Sequence, residues 1–462
     1  MKILFITPVM TRAQTDPPSG LCYLQASLDK AGYTNSKIVD EDSYEKVKKA
    51  IEDYDPDVVG ISCLTVYRSS SFKIAKMAKE IKPKVKVILG GPHATFMWEQ
   101  IMKNFKYVDV IVVGEGEITT VELIKALERD KPLKNIKGIV FREDGKIIKT
   151  EPRPLIENLD EVPFPSYRNI DFDKYAVAKP PDYYEKERKA SIISSRGCIG
   201  NCHFCSTTQF WSRRWRARSA KNVVDEIESL YNKYNIRFFV FFDDIFTTNQ
   251  QRVIDICKEI IKRDLKIRWY AETRVDCVSK EMLEWMKKSG CFLVQFGIES
   301  GSTTILKTIN KKVTMDQIIT AVKMVKEVGM QTEPFFMVGN PGETKKTIEE
   351  TKRLIDILKP DALGISITRV FPCTQLYELA KEKGMMTDEF WLTDKAVPEY
   401  TIEHSLKELA SMRFDILRHF YKSKGRFAFY KYLLDLFRMN PSVLTDHLKV
   451  FLLNKKIIIN PK

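Results

Sequence analysis

Short runs of aliphatic and β-branched residues alternate with amphipathic segments along the first 130 residues. Leucines at helical spacing predict a helix over Gly20–Ala31. Strands that are apolar throughout and separated by helices are typical of a parallel sheet that is covered on both faces. The apolar runs predict five such strands: Ile3–Thr7, Lys37–Val39, Val58–Ser62, Lys86–Leu89 and Val108–Val113.

The same alternation returns after about residue 188. Helical patterns over Ala220–Tyr234, Thr314–Val328 and Thr344–Leu358 separate further apolar runs. Six strands with intervening helices predict a partial (β/α)6 barrel, whose catalytic groups should lie at the carboxyl ends of the strands. The six predicted strands are Ala190–Ser194, Phe238–Phe242, Ile267–Ala271, Phe292–Gly297, Pro334–Val338 and Gly364–Arg369.

The remaining parts of the chain connect and follow these two α/β units. A hairpin is predicted over Val140–Lys149 around an Asp-Gly turn, and prolines after it indicate an extended connector. Helices are predicted over Ser405–Lys422 and Arg426–Met439. We therefore predict an α/β protein with a Rossmann-like domain over residues 1–130, a linker with a hairpin over 131–187, a barrel over 188–385 and a carboxyl-terminal helical region over 386–462.

Composition narrows the class of protein. A chain of 462 residues with 44% hydrophobic and 29% charged residues is ordinary for a globular protein of two or three domains. The chain opens directly on a predicted strand and has no apolar run that could cross a bilayer, so we expect a cytoplasmic protein. The net charge is +14, and residues 401–462 carry twelve Lys and Arg against five Asp and Glu. A basic tail of this kind is typical of a solvated face, and we do not expect nucleic acid as a partner.

Three of the nine cysteines stand close together with the spacing C-x3-C-x2-C, at Cys198, Cys202 and Cys205. A loop this short, containing Gly197 and Gly200, can turn its sulfurs toward one centre, as a cubane iron–sulfur cluster requires. Three ligands for four irons leave one iron open to a substrate or cosubstrate. The alternative is a zinc knuckle completed by His203 or a distant residue. Buried free thiols in a reducing compartment account for the others, Cys22, Cys63, Cys257, Cys277, Cys291 and Cys373.

The stretch from Ser194 to Cys205, including Phe204 just before the last cysteine, resembles the cluster loop of the radical S-adenosylmethionine (SAM) enzymes. The resemblance implies that Cys198, Cys202 and Cys205 bind a [4Fe-4S] cluster. It also implies that the open iron chelates the amino and carboxylate groups of SAM, whose reductive cleavage yields a 5′-deoxyadenosyl radical. Phe204 is then expected to touch the adenine.

Charged residues also follow three of the predicted barrel strands. Carboxylates hold an ammonium group or ribose hydroxyls and an arginine holds a carboxylate, so together they complement SAM, although each alone could cap a helix or form an internal ion pair. The family resemblance implies SAM-binding positions at Asp243, Asp244, Arg274, Glu299 and Ser300, with Asp243 and Asp244 standing where the family has Gly-Gly-Glu. The stretch Gly339–Thr344 is similar to the family's Gly-x-Pro-Gly-Glu-Thr turn, and the resemblance extends over residues 1 to about 385.

In the first domain, Ser62-x-Leu64 and Gly90-Gly91 are similar to the S-x-L and G-G pair of cobalamin-binding domains. The cobalt-ligating D-x-H-x-x-G motif is missing, as is common in radical SAM enzymes with an amino-terminal cobalamin domain. The rival interpretation is a domain that keeps the sheet and has lost the cofactor. His93 is expected to cap its loop and not to bind cobalt. The cobalamin-binding residues that the resemblance implies are Ser62, Leu64, Gly90, Gly91, His93 and Glu115.

The resemblance implies a cobalamin-dependent radical SAM methyltransferase, which takes a hydrogen from an unactivated carbon and transfers a methyl group from methylcobalamin. Alternatives are a radical cyclase or rearrangement enzyme, a non-enzymatic iron–sulfur electron carrier, and an RNA modifier of the methylthio-transfer type. The last usually has extra amino-terminal cysteines, which this chain lacks. The expected partners are a small-molecule or lipid-like substrate and an electron donor such as flavodoxin or ferredoxin. The basic, apolar carboxyl-terminal region is typical either of a lid on the barrel or of peripheral membrane contact.

Overall fold

The computed structural model describes residues 1–9, 16–178, 186–425 and 428. Its first sheet has seven strands in the order β2-β1-β3-β4-β5-β6-β7. The first five run parallel, as the apolar runs predict, and the last two are antiparallel. The strands are Ile3–Ile6 (β1), Ser36–Val39 (β2), Val58–Ser62 (β3), Lys86–Gly90 (β4), Val110–Val112 (β5), Ile139–Glu143 (β6) and Lys146–Lys149 (β7).

The predicted hairpin forms strands β6 and β7 and joins this sheet. Val110, Ile111 and Val112 pair with Phe141, Val140 and Ile139. These six side chains are buried, so the hairpin covers an edge of β5 that would otherwise expose apolar residues and unpaired backbone groups. The helices of this part are Ser19–Lys30 (α1), Tyr44–Tyr54 (α2), Arg68–Ile81 (α3), Pro92–Phe96 (α4), Trp98–Asn104 (α5) and Glu117–Glu128 (α6).

The second large sheet has six parallel strands in the order β10-β13-β14-β15-β16-β17 and forms the partial barrel. One face of each strand packs in the core against the helices, with Phe239, Trp269 and Phe296 fully buried. The strands after β7 are Val177–Ala178 (β8), Lys186–Glu187 (β9), Lys189–Ile192 (β10), Ser195–Arg196 (β11), Arg216–Ala217 (β12), Phe238–Phe241 (β13), Arg268–Thr273 (β14), Cys291–Glu299 (β15), Gln331–Val338 (β16) and Gly364–Ile367 (β17).

Helices cover the outside of the barrel and follow its last strand. Capping boxes at Thr314 and Thr344 begin two of them, since each threonine hydroxyl accepts a backbone N–H of the first turn. The helices are Thr207–Phe210 (α7), Ala220–Tyr234 (α8), Gln250–Lys262 (α9), Lys280–Lys288 (α10), Thr303–Thr308 (α11), Met315–Glu327 (α12), Lys345–Leu358 (α13), Gln375–Glu382 (α14) and Leu406–Ser423 (α15). Short 3-10 turns lie at Thr65–Tyr67, Leu133–Asn135, Leu159–Glu161, Phe172–Tyr175, Val275–Cys277 and Asp388–Leu392.

The chain returns to the first sheet after it leaves the barrel. Trp391 is buried in the same hydrophobic cluster as the β3 and β4 side chains. The guanidinium of Arg68 donates to the carbonyl oxygens of Trp391 (3.0 Å), Thr393 (3.0 Å) and Lys395 (2.7 Å). The segment after β17 therefore completes the core of the amino-terminal sheet, whereas the pattern of the sequence assigns it to a separate region.

The predicted fold class is confirmed, including a helical carboxyl-terminal region represented by α15. The predicted helix over Arg426–Met439 lies outside the described residues. None of the helices in the described ranges has the length and hydropathy that a membrane span needs. All nine cysteines are free, and of the six scattered ones Cys373 is exposed and Cys277 half-buried, which corrects the expectation that all six are buried. Both follow strands as part of surface turns, where side chains are not enclosed by the core.

Candidate active site

A short strand pair holds the loop that carries the three clustered cysteines. Strands β11 and β12 run antiparallel and place Arg196 opposite Arg216, so the loop leaves and re-enters the fold at one point. Gly197 begins the loop with a φ of +99°, and a Cβ atom there would lie 1.8 Å from the carbonyl oxygen of Arg214. The two limbs of the loop therefore approach too closely for any side chain at position 197.

The cysteines lie together and half-buried at the barrel end of this loop. A Cβ atom built on Gly200 would lie 3.2 Å from Sγ of Cys198 and 3.9 Å from Sγ of Cys202. Burial raises the pKa of Cys198 to about 11, and the neighbouring thiols Cys205 and Cys202 add to the shift. In the described part of the chain, no three His, Cys, Asp or Glu side chains are arranged to hold a single metal ion. A cubane binds each thiolate through a different iron, and so needs a wider set of sulfurs than one ion does.

A cavity of about 330 Å³ joins the first sheet to the barrel. At one end it runs between the sheet and helices α1 and α6, and at the other it reaches the strand ends of the barrel and the cysteine loop. Glycines keep the sheet end open: a Cβ atom on Gly60 would lie 2.7 Å from the Phe5 ring, and one on Gly116 2.9 Å from Leu24. The residues that line its two ends include Gly60, Ser62, Gly90, Gly91, Glu115 and Gly116, and Ser195, Arg196, Trp211, Phe242 and Asp244.

A second cavity, of about 220 Å³, lies on the other side of the cysteine loop. Phe204 forms one wall, and Asn340 and Pro341 of the turn after β16 form another. Glu343 holds this turn, because its Oε2 atom accepts the backbone N–H groups of Gly339 (3.1 Å) and Asn340 (3.4 Å). The turn and the aromatic side chain thus enclose a flat space beside the three thiols.

Comparison with known proteins identifies the family. The Radical SAM superfamily model matches residues 192–355, and the B12 binding domain model matches residues 7–124. An uncharacterized methyltransferase of Pyrococcus horikoshii is 37% identical over 422 residues, which are 89% of this chain and 90% of that protein. The chain belongs to the radical SAM enzymes with a B12-binding domain. This membership excludes the electron-carrier alternative.

Other relatives of this radical SAM enzyme differ in the reaction that their names give. The anaerobic magnesium-protoporphyrin IX monomethyl ester cyclase of Cereibacter sphaeroides is 33% identical over 84% of this chain and 65% of that protein. Among solved structures, the methyltransferase TsrM from Kitasatospora setae, with tryptophan and a SAM analogue bound, has a TM-score of 0.71 at 19% identity over 83% of this chain and 77% of that one. The cobalamin-dependent enzyme OxsB has a TM-score of 0.70 at 19% identity over 84% and 62%. At these identities the structures show the shared fold.

The two adjacent aspartates predicted to bind SAM occupy different environments in this radical SAM enzyme. Asp243 is buried, and its carboxylate accepts the backbone N–H of Ser194 (2.7 Å) and the hydroxyls of Ser194 (2.5 Å) and Ser195 (2.6 Å). Asp244 faces the large cavity and accepts the N–H of Gly197 at 2.9 Å. Asp243 therefore holds the strand that leads into the cluster loop, and Asp244 is the one of the pair that faces open space.

The other predicted SAM residues lie beside the cysteines. Arg274 pairs with Asp276 at 2.8 Å, and its Nη1 atom lies 3.5 Å from where a Cβ atom of Gly200 would stand. Glu299 ends β15 in a left-handed conformation, with a φ of +74°, and its Oε1 atom is 2.8 Å from Nζ of Lys311. Ser300, next to it, is buried and its hydroxyl accepts the N–H of Ser302 at 3.1 Å.

Two charged residues near this group were missed by the sequence reasoning. Lys311 is buried against Glu299, and its charge lowers the pKa of Cys202 against the larger, raising effect of burial. It follows helix α11 in a turn, so no strand-end pattern marks it. Glu272 lies on β14 inside the barrel, where desolvation and then the Glu299 carboxylate raise its pKa to about 7. The alternation of β14 was the available signal, since Trp269 and Ala271 point into the core and Glu272 therefore points inward.

The predicted cobalamin residues divide into two groups. Ser62, Gly90, Gly91 and Glu115 line the large cavity, whereas Leu64 and His93 are not among its lining residues. The carboxylate of Glu115 lies within hydrogen-bond distance of arginine side chains from the barrel, as described below. The assignment of all six residues to cobalamin remains a prediction.

His93 is enclosed by protein. Its ring Nδ1 atom lies 3.3 Å from the hydroxyl of Thr65, and its ring packs edge-on against Trp391 with centroids 5.7 Å apart. Burial, followed by the Arg68 charge, lowers the pKa of His93 to about 3. A neutral, buried imidazole that contacts the preceding loop suits the loop-capping role expected for it.

This shift predicts a pH dependence of stability. Because the unfolded histidine has a pKa of about 6.5, the unfolded chain binds a proton between pH 6.5 and 3 that the folded chain does not. The contribution of neutral His93 is therefore complete above that range and is lost as the pH falls through it, with a slope of at most about 1.4 kcal/mol per pH unit. His93→Gln should make the free energy of unfolding, measured by urea titration, fall less steeply than in the wild type between pH 6.5 and 4. The exposed His419→Gln variant is the control and should keep the wild-type slope; equal slopes in the wild type and His93→Gln would refute the assignment.

Proposed function

We propose that this radical SAM enzyme is a cobalamin-dependent methyltransferase that acts on an unactivated carbon. The observation that carries the proposal is the single cavity that extends from the glycine-lined space of the first sheet to the cluster loop and the barrel strand ends. A methyl donor held at one end and a carbon radical formed at the other can meet in one enclosed space, which replaces a bimolecular encounter by fixed geometry. The match to a methyltransferase over 90% of that relative's length agrees with this proposal.

The residues of this chain suit the three groups that the reaction needs. When bound, the cluster and SAM supply a radical that removes hydrogen, and cobalamin supplies the methyl group. Cys198, Cys202 and Cys205 are proposed as the cluster ligands. Gly60 and Gly90 would leave room for the cobalamin tail between sheet and helices.

The proposed SAM site uses both sides of the cluster loop. Asp244 can accept the ammonium group, and Arg274 can donate to the carboxylate beside the cysteines. Phe204 and the Asn340-Pro341 turn suit an adenine ring, because they enclose the smaller cavity next to the thiols. Asp243 would act indirectly, by holding Ser194 and Ser195 at the start of the loop.

A cyclase or rearrangement reaction is the second candidate. It is favoured by the 33% identity to a cyclase over 84% of this chain. Both candidates would use the same cofactors, and they differ in whether a methyl group appears in the product.

The substrate is a small molecule. A lipid-like substrate and an electron donor such as flavodoxin or ferredoxin are proposals; the donor is required because reductive cleavage of SAM consumes an electron. Peripheral membrane contact is also a proposal, and it depends on the composition of the basic region beyond residue 425.

The first test is anaerobic reconstitution with iron, sulfide and hydroxocobalamin, applied to the wild type and to a Cys198/Cys202/Cys205→Ala triple variant. We expect the triple variant to lose cluster absorption and iron and to retain cobalt in proportion to protein, because the two binding sites lie at opposite ends of the cavity. With SAM that carries a deuterated methyl group, a labelled product supports methyl transfer. Iron without cobalt in the wild type would refute the proposal, and 5′-deoxyadenosine formed with an unlabelled product would favour the cyclase class.

A size series at Gly90 tests the cobalamin position. A Cβ atom on Gly90 meets only Val112, at 4.0 Å, so Gly90→Ala leaves most of the space open. Gly90→Val extends further into the cavity, and a steric cost of about 1–3 kcal/mol corresponds to roughly tenfold or greater loss of affinity. Titration with hydroxocobalamin should show weak binding for Gly90→Val, near wild-type binding for Gly90→Ala, and unchanged iron in both. Wild-type affinity in Gly90→Val would place cobalamin elsewhere.

Deletion of the residues after 425 tests membrane contact. If the basic region binds an anionic surface, the truncated chain should sediment less with vesicles that contain phosphatidylserine, and high salt should release the full chain. Vesicles of neutral lipid are the control. Equal sedimentation of both chains would refute the membrane proposal.

A further inference from the structure

The base of the cluster loop has two arginines where a strand pair brings like charges together. Arg196 on β11 lies directly opposite Arg216 on β12, and both side chains are buried. Like charges directly opposite each other destabilise an antiparallel pair. The loop from residue 197 to 215, with all three clustered cysteines, is closed by this pair, so its base needs a bound anion or carboxylate.

Glu115 of the first domain supplies that carboxylate. Its Oε1 atom accepts Nη1 of Arg196 at 2.7 Å, and its Oε2 atom accepts Nη1 of Arg216 at 2.9 Å. Glu117 accepts the second nitrogen of Arg196 at 2.5 Å. Each of these four side chains is at most about a tenth exposed. One carboxylate thus joins both limbs of the cluster loop.

Little else in the described structure can replace Glu115. Arg216 has one other printed acceptor, the carbonyl oxygen of Ile156 at 2.5 Å, and its Nε and Nη2 atoms have no hydrogen-bond partner among the described residues. The Ile156 N–H in turn donates to Oε2 of Glu115 at 2.8 Å. Removal of the carboxylate would therefore leave a buried guanidinium held by one carbonyl oxygen, opposite a second cation.

The same segment forms the wall of the large cavity. Glu115, Gly116 and Glu117 line it from the first domain, and Arg196 lines it from the cluster loop. The close approach of Gly116 to Leu24 fixes the segment against helix α1. A molecule in the cavity would touch both partners of the ion pairs, and any change in their geometry would reach the base of the loop through Glu115.

We propose that Glu115 is a positioning residue that couples cobalamin binding to assembly of the iron–sulfur cluster by holding Arg196 and Arg216 together. The inference rests on the proposed function, since it requires both cofactors to bind. Such a coupling is reciprocal: a cluster that tightens cobalamin binding by a given factor is itself tightened by cobalamin by the same factor.

The test compares the dissociation constant of hydroxocobalamin for cluster-loaded protein and for protein freed of iron by a chelator, both followed by absorbance under anaerobic conditions. In the wild type we expect the two constants to differ by about fivefold or more. In Glu115→Gln, which keeps the size of the side chain and removes its charge, the ratio should fall to near one while both cofactors still bind. The electron paramagnetic resonance spectrum of the reduced cluster should change on addition of cobalamin in the wild type and not in the variant, a difference that general destabilisation would not produce.

Glu157→Gln is the matched control. Glu157 also pairs with an arginine of the cluster loop, Arg214, at 2.6 Å, but both side chains are more than half exposed. Because water can replace that pair, the variant should keep the wild-type ratio. If Glu115→Gln fails to fold, Arg216→Lys answers the same question, since it keeps the charge, leaves Glu115 paired with Arg196 and removes the fork that joins the two limbs; it should also reduce the ratio.

The outcomes separate the two proposals. Absence of cobalt in the wild type would refute the proposed function. A ratio of one in the wild type, with both cofactors bound, would refute the coupling and leave the proposed function intact. A wild-type ratio in both Glu115→Gln and Arg216→Lys would refute the part assigned to Glu115.

Discussion

Four buried charges, Glu115 and Glu117 against Arg196 and Arg216, join the two α/β units at the place where the cysteine loop begins and ends. Removing one member of a buried ion pair typically costs about 3–5 kcal/mol, because its partner is left charged without compensation. The two units are therefore held at one relative position by groups that neither unit could keep buried alone. The shared cavity exists because of this contact, since its walls come from both sides of the ion network.

The cavity also depends on positions where side chains are absent. Gly60 and Gly116 leave space beside Phe5 and Leu24 that any Cβ atom would fill. The segment that follows the barrel adds to the same domain, since Trp391 packs on His93 and Arg68 holds three carbonyl oxygens of that segment. The first domain is thus built from both ends of the described chain, with the barrel inserted between them.

Much of this arrangement could be predicted from residue patterns. The strands β3 and β13 and helix α8 begin where the apolar runs or periodicity begin, because burial of one face sets a local pattern. The edge hairpin at β6 and β7 was predicted as a hairpin, but its place in the first sheet depends on which edge is open. Glu272 and Lys311 were missed, since their surroundings come from strands and turns distant in sequence.

By itself, the sequence determined the local chemistry: the C-x3-C-x2-C spacing, the alternation of strand and helix, and the small residues after the strands of the first sheet. These features depend on neighbours a few residues apart, so a pattern records them. Only the tertiary structure decided which charges meet. It gave Asp243 to Ser194 and Ser195 while leaving Asp244 at the cavity, and it brought Glu115 to two arginines 81 and 101 residues away. Contacts between distant segments depend on how whole sheets pack, and no local pattern carries that information.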